Sequence, residues 1–370
     1  MVRFSCEKTL LQQAVNAVSR AVAAKSSIPA LEGILLETEH GLRLSGYNMQ
    51  TGIRTEVEAD IRESGRIVLN AKLFGDMIRR MPDDTVVFDA DEKFNVKLTC
   101  GDTDFEMIGL SANDYPEMPE VDDEYSVTLE QRTLKAMIDQ TSFAVSLNET
   151  RPIHTGVLFE ISDKGLTMVA VDGFRLALRR EPLEHIDGGA FKFVAPGSAL
   201  NEVEKICADT EDMVTVTQGK RHLMFEAGNT QLICRRLEGE FLDYRNAIPT
   251  NNPICLEVDN KTMIESLERV SVVISEKLKS PVRCLFSADK VYMSARTGNG
   301  EARDICPVRG DGKELEIGFN NRYLMDALRY APADTVKMHL NTGISPCIIT
   351  PVDDSDNFIY MVLPVRLKAQ

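Results

Sequence analysis

The stretch Val169-Ala170-Val171-Asp172-Gly173-Phe174-Arg175-Leu176-Ala177 places an Asp-Gly pair between two runs of alternating apolar residues, Leu166, Met168 and Ala170 before it and Leu176 and Leu178 after it. A period of two marks strands, and Asp-Gly is favoured hairpin-turn chemistry, so the stretch predicts two antiparallel strands joined at residues 172–175. Such hairpins are common. This one gains weight from the other end of the sequence, where the apolar run Met361-Val362-Leu363-Pro364-Val365-Arg366-Leu367 carries a proline and an arginine, as a segment pinned into a surface would.

Outward from the hairpin, one order of elements recurs three times at a spacing of roughly 120 residues. Each unit opens with a short strand and a helix whose apolar residues fall at helical spacing: Val2 to Cys6 then Glu7 to Val22, Tyr125 to Leu129 then Glu130 to Val145, and Ile254 to Val258 then Asn260 to Val273. Leu10, Leu11, Ala14, Val15 and Val18 form the first apolar face; Leu134, Met137, Ile138 and Thr141 the second; Met263, Ile264, Leu267 and Val270 the third. Asn260 is expected to cap the third of these helices. Three strands follow in each unit, then a strand and a second helix, at 71–81, 198–208 and 321–330, then three closing strands. Clusters of proline and acidic or polar residues at Tyr115 to Glu120 and Ile248 to Pro253 mark seams, giving expected domains 1–122, 123–250 and 251–370.

At 370 residues and 43% hydrophobic content, the chain is long enough for two or three packed cores. No window approaches the roughly 18 apolar residues of a membrane span, and a soluble, cytoplasmic protein is expected. The eight cysteines and five histidines are dispersed, without the paired spacing of a zinc site or redox motif, so buried reduced thiols are expected and no metal or cofactor. A net charge of -15 argues against nucleic acid unless the cations are gathered in one place. The six helical stretches carry twelve basic and nine acidic residues, a surplus of about 3, against a deficit of about 18 elsewhere. A merely solvated helix face would also show mixed charge. If the helices line a hole, however, the acidic exterior repels DNA while the interior attracts it, and phosphate contacts hold a duplex without reading its bases.

Over its whole length the sequence resembles the bacterial replication sliding clamps, the beta subunits of DNA polymerase III. The most specific pieces are residues 169–177, Phe241-Leu242-Asp243-Tyr244-Arg245, Ile317-Gly318-Phe319-Asn320 and the terminal run. The resemblance implies an α+β fold of three similar clamp domains, each with two helices on antiparallel sheets, closing as a head-to-tail ring dimer around duplex DNA without sequence preference. It implies no active site. The implied partners are the polymerase III alpha subunit, the clamp loader and other proteins bearing a clamp-binding motif. Carried over by position, their peptides would meet His154, Val171, Gly173, Phe174, Arg175, Leu176, Leu242, Ala247, Asn320, Tyr323, Ile344, Pro346, Met361, Val362, Leu363, Pro364, Val365 and Arg366. Phe174 stands where relatives often have histidine, Leu242 where they often have proline, and His154 where an aliphatic is usual. Gly197-Ser198 opens the fourth helix where relatives can be basic, and Lys368-Ala369-Gln370 extends past the usual end.

Expected DNA contacts are Lys25, Lys72, Arg79, Arg80, Asn148, Arg151, Lys205, Arg269 and Arg322. For ring closure, the strand Thr103 to Ile108 would put Asp104 and Glu106 on one face with Asp102, and Phe105 and Met107 on the other. Its expected partner is the strand Glu301 to Cys306 of the other chain, with Arg303 facing the acidic row, Lys277 and Lys279 nearby, and Val273 and Ile274 meeting Phe105 and Met107. Two other readings stand beside this one: an enzyme using Asp172, Arg175, Asp243, Tyr244 and Arg245 for acid-base work, and a multidomain peptide-binding adaptor that does not encircle DNA.

Overall fold

The computed structural model describes residues 1–122, 124–183, 186–187, 189–274, 280–310, 313–353 and 355–367. The expectations placed on Lys277, Lys279 and the final Lys368-Ala369-Gln370 lie outside the described residues. Helices form at α1 (Lys8–Ser19), α2 (Ala71–Arg80), α3 (Gln131–Ser142), α4 (Gly197–Ile206), α5 (Tyr244–Ala247), α6 (Asn260–Ser271) and α7 (Asn321–Arg329). Six occupy the expected stretches. The single turn α5 is too short to leave a periodic signal.

Leu11, Ala14, Val15 and Val18 bury the inner stripe of α1, whereas Leu10 is exposed, because it falls one residue, about 100°, off the i, i+3, i+4, i+7 row that starts at Leu11. Asn260 is not the cap of α6. Asp259 takes that place, its carboxylate accepting from the Thr262 amide at 2.8 Å. Asn260 is the first helical residue, buried, and donates its side-chain amide to the Ala333 carbonyl.

Two compact units emerge from the internal contacts, one made of residues 1–135, 185–189 and 198–236, the other of 136–184, 190–197 and 237–370. In the first, Thr230–Arg235 pairs antiparallel with Thr51–Val57, so that strands from the first and second repeats continue as one nine-stranded sheet. In the second, Arg175–Glu181 pairs with Phe358–Val362, joining strands of the second and third repeats in another nine-stranded sheet. A five-stranded sheet completes the first unit and a four-stranded sheet the second. The sheets thus run across both expected seams, since the second repeat gives one sheet to each unit. Within units, α1 packs on α2 and α6 on α7.

The threefold repeat extends to details the apolar pattern does not carry. Short strands Asp60–Glu63, Ile186–Asp187 and Arg309–Gly310 each lie on the opening strand of their repeat. They are too short for alternation to register. Three isolated bridges, Val68 with Leu110, Val194 with Leu237 and Gly318 with Val365, tie the exit of each repeat back to the strand before its second helix.

Candidate functional site

The turn that opens the sequence argument is built by Asp172. Its Oδ1 accepts from the Phe174 amide at 2.8 Å and the Arg175 amide at 3.0 Å, and Gly173 takes a φ of 91°, which an L side chain rarely adopts. Phe174 is thereby held at the tip, 59% exposed. The adjoining strand pairs with the end of the chain, Leu176 opposite Met361 and Arg175 opposite Val362, and the Leu363 amide donates to the Phe174 carbonyl at 2.9 Å.

On one face of this sheet Val171, Leu176 and Met361 join a buried cluster with Leu158, Val169, Leu178, Val194, Tyr244 and Ile348, against which Phe241, Ile248 and Leu363 pack. Leu176 is only 1% exposed, so it is a floor residue rather than a contact surface. Val362 is fully buried. Exposed apolar groups come instead from Phe174, Leu242 and Ile344, the last 77% exposed. Ala247 ends α5, and Pro346 precedes the strand Cys347–Pro351. His154 sits edge-on to Phe241 at 5.6 Å, and burial, then the Arg151 charge, hold its imidazole below the usual range. Val365 donates to the Gly318 carbonyl at 2.8 Å, Pro364 is half-buried beside it, and Arg366 is exposed.

Arg175 is not free to meet a ligand. It is buried, its guanidinium bonded to Asp172 at 3.0 Å and to Asp326 at 2.6 Å, and it lies 4.5 Å from the centre of the Tyr323 ring and 5.4 Å from that of Phe143. Phe174 stacks on Tyr323 at 6.1 Å. Tyr323 is therefore fixed by both neighbours. Asn320 spends its side-chain oxygen capping α7, accepting from the Arg322 and Tyr323 amides. Tyr244 donates to Glu160 at 2.5 Å, and burial first, then that carboxylate, raises its phenol; Asp243 accepts from Asn246 at 2.7 Å. Each group of the acid-base reading is thus tied into local structure.

Among the expected cations, Lys25, Lys72, Arg80 and Arg151 are exposed and make no ion pair among the described residues. Arg79 is paired with Asp76 at 2.9 Å, Lys205 with Glu202 at 2.8 Å and Arg269 with Asp304 at 2.7 Å, while Arg322 approaches Asp326 at 3.9 Å. Asn148 accepts from the Thr150 amide in the loop that precedes Arg151.

Thr103–Ile108 and Gly300–Pro307 are the outermost strands of the five- and four-stranded sheets. Along the first, Asp104 and Glu106 are exposed while Phe105 and Met107 turn inward, as the alternation predicts, and Asp102 is exposed in the preceding turn. Arg303 is held by Glu301 of its own strand at 2.8 Å. Val273 and Ile274 are half-buried; the prominent group is Val272, 83% exposed, which sequence reasoning missed because it sits in a run of valines that reads as helix interior. Ile108 and Ile305 are exposed too.

The chain matches family models described as DNA polymerase III beta subunit, N-terminal domain over residues 2–119, central domain over 128–243 and C-terminal domain over 245–366. It is 30% identical to the Beta sliding clamp of Halalkalibacterium halodurans over 99% of this chain and 100% of that one, and 30% identical to the Beta sliding clamp of Staphylococcus aureus with the same coverage. Among solved structures, a DNA polymerase III beta subunit from Eubacterium rectale superposes with a TM-score of 0.94 at 29% identity, and the Bacillus subtilis DNA polymerase sliding clamp with 0.94 at 27%, each over 99% of this chain and 100% of the other. Three repeats, a hairpin tied to the last strand and a full-length match at this identity make one conclusion of the sequence and the fold: the chain belongs to the DNA polymerase III beta subunit family, the beta sliding clamps.

Proposed function

We propose that two copies of the chain close head to tail into a cytoplasmic ring around duplex DNA and tether the replicative polymerase, the clamp loader and other motif-bearing enzymes to it, with no catalytic role of its own. The observation that carries this reading is the full-length likeness to proteins named beta sliding clamp. The cations fit it physically. Exposed lysines and arginines on helices and loops hold phosphates at nearly equal free energy in every register, which permits sliding. The peptide site is proposed at Phe174, Leu242, Ile344 and Tyr323 over the floor of Val171, Leu176 and Met361, an apolar receptor for a short Leu- or Phe-bearing segment. Ring closure is proposed between the Thr103–Ile108 edge and the Gly300–Pro307 edge of a second copy.

Retention on a nicked DNA circle tests the reading. The protein should stay bound to the closed contour at high salt and slide off when the circle is cut. Equal release from circle and linear DNA would instead favour the adaptor reading.

A further inference from the structure

The sheet face that carries the apolar cluster changes character along its strands. Two adjoining rows are apolar, Val171-Leu176-Met361-Ile348 and Val194-Leu158-Val169-Leu178-Ile359, each joined strand to strand by backbone pairing. The next row on the same face is polar: Lys192, Glu160, Thr167 and Arg180, paired across four strands. Alternation forces these rows onto one face. The polar row lines a cavity of about 860 Å³. Tyr244 stands at the border, its ring in the apolar cluster and its hydroxyl on Glu160 within that cavity.

The three carboxylates at the cavity already have arginines on them. Glu160 accepts from Arg245 at 2.7 Å, Glu181 from Arg179, and Asp356 from Arg180. The lining as a whole holds four cations, Lys164, Arg180, Lys192 and Arg245, the last with its side chain 64% exposed, to those three carboxylates. An arriving anion therefore meets cations on a chain whose net charge is -15. From Phe174 to Arg180 is six residues, at most about 20 Å along the chain at roughly 3.3 Å each, within the reach of six extended peptide residues.

We propose that this cavity receives an acidic stretch of the partner peptide, lying about four to six residues from the apolar anchor held at Phe174, so that the protein selects clients by a flanking Glu or Asp as well as by the anchor. The inference rests on the peptide-site reading above. Tyr244 and Arg245 wall off the two subsites and fix their spacing.

Fluorescence anisotropy with full-length protein tests it, using Leu-Phe peptides that carry a Glu-Asp pair five residues before or after the anchor, and the same peptides with Gln-Asn. One acidic peptide should bind roughly two- to tenfold tighter than its neutral twin at low salt, as two partly exposed ionic contacts allow. The preference should vanish at high salt and in the K164Q/K192Q double variant, whose substitutions lie on the surface, while the neutral peptides bind that variant as they do the wild type. Equal binding of acidic and neutral peptides to the wild type, or a preference that survives in the double variant, overturns the inference and leaves the anchor site standing. If the neutral peptides fail to bind wild type at all, the peptide-site reading falls and this inference with it.

Discussion

The Phe174 carbonyl and the Leu363 amide are joined at 2.9 Å, so the pairing of the second repeat's hairpin with the last strand of the third repeat continues past the strand ends into the hairpin turn. Removing residues 361–370 takes away Val362 and Met361, the strand partners of Arg175 and Leu176, and with Met361 a member of the buried cluster. Such a deletion should abolish peptide binding and lower the melting temperature together. Gly318→Ala is a finer cut. A Cβ there would stand 2.5 Å from Leu367 Cδ2 and 2.8 Å from the Val365 carbonyl, so the tail must lift, at a cost of about 1–3 kcal/mol by denaturant titration. An unchanged midpoint would show that the tail is not held there.

Leu176→Asp and Phe174→Asp should behave differently. The first buries an unpaired carboxylate in the cluster and should cost several kcal/mol of stability, about 2–5. The second changes an exposed ring and should leave stability within about 0.5 kcal/mol while weakening a client peptide about tenfold or more. Normal peptide affinity in a folded Phe174→Asp protein removes this residue from the site.

For DNA, neutralising Lys25, Lys72, Arg80 or Arg151 should each shallow the slope of log affinity against log salt by about one unit, independent of base sequence. Lys205→Ala and Arg269→Ala should do less, because Glu202 and Asp304 already neutralise those side chains. Titrations at four salt concentrations on two unrelated duplexes check both statements.

At the proposed ring seam, Asp104→Lys should loosen the dimer and Arg303→Glu on the same chain should restore part of it, with a coupling of about 0.5–1 kcal/mol. Glu301 competes for Arg303, which sets the small size of the effect. Val272→Asp should act more strongly, since an 83% exposed valine gains nothing from water and loses a covered place in a dimer. Sedimentation at low and high salt decides: a fully dimeric Val272→Asp protein excludes that residue from the seam.

Asp259 offers a pH test. Hydrogen bonds from Thr262, first its side chain and then its amide, hold this carboxyl below its ordinary value. A depressed folded pKa contributes stability that is present above the unfolded value near 3.9 and lost as pH falls through the folded one. Asp259→Ala should therefore cost about 1 kcal/mol at neutral pH, and the difference from wild type should close below about pH 4.

Much of this was legible in the residues because burial writes a period into them. Leu134, Met137, Ile138 and Thr141 are all fully buried on α3, as their spacing requires. Where burial does not set the pattern, the residues are silent. Asp60–Glu63 is polar and short, yet it pairs because the edge of Val2–Glu7 needs partners for its backbone. The pairing of the hairpin with the tail was legible, but not which of their side chains would be buried and which exposed. Leu176 is the second residue of the strand Arg175–Glu181 and is buried, whereas Phe174 lies in the turn before it, where the geometry set by Asp172 and Gly173, not strand alternation, leaves its ring exposed.

The three bridges at Leu110, Leu237 and Val365 also fix how the chain's conformational entropy is divided. Each closes a loop of somewhat over forty residues back to Val68, Val194 or Gly318, and because the closure penalty grows only with the logarithm of loop length, the three cost nearly the same. No repeat is therefore favoured by its connectivity. Any ranking that hydrogen exchange reveals among the three must come from side chains, and the third closure, made on a glycine under Leu367, has the least side-chain packing of its own at the bridging strand residue.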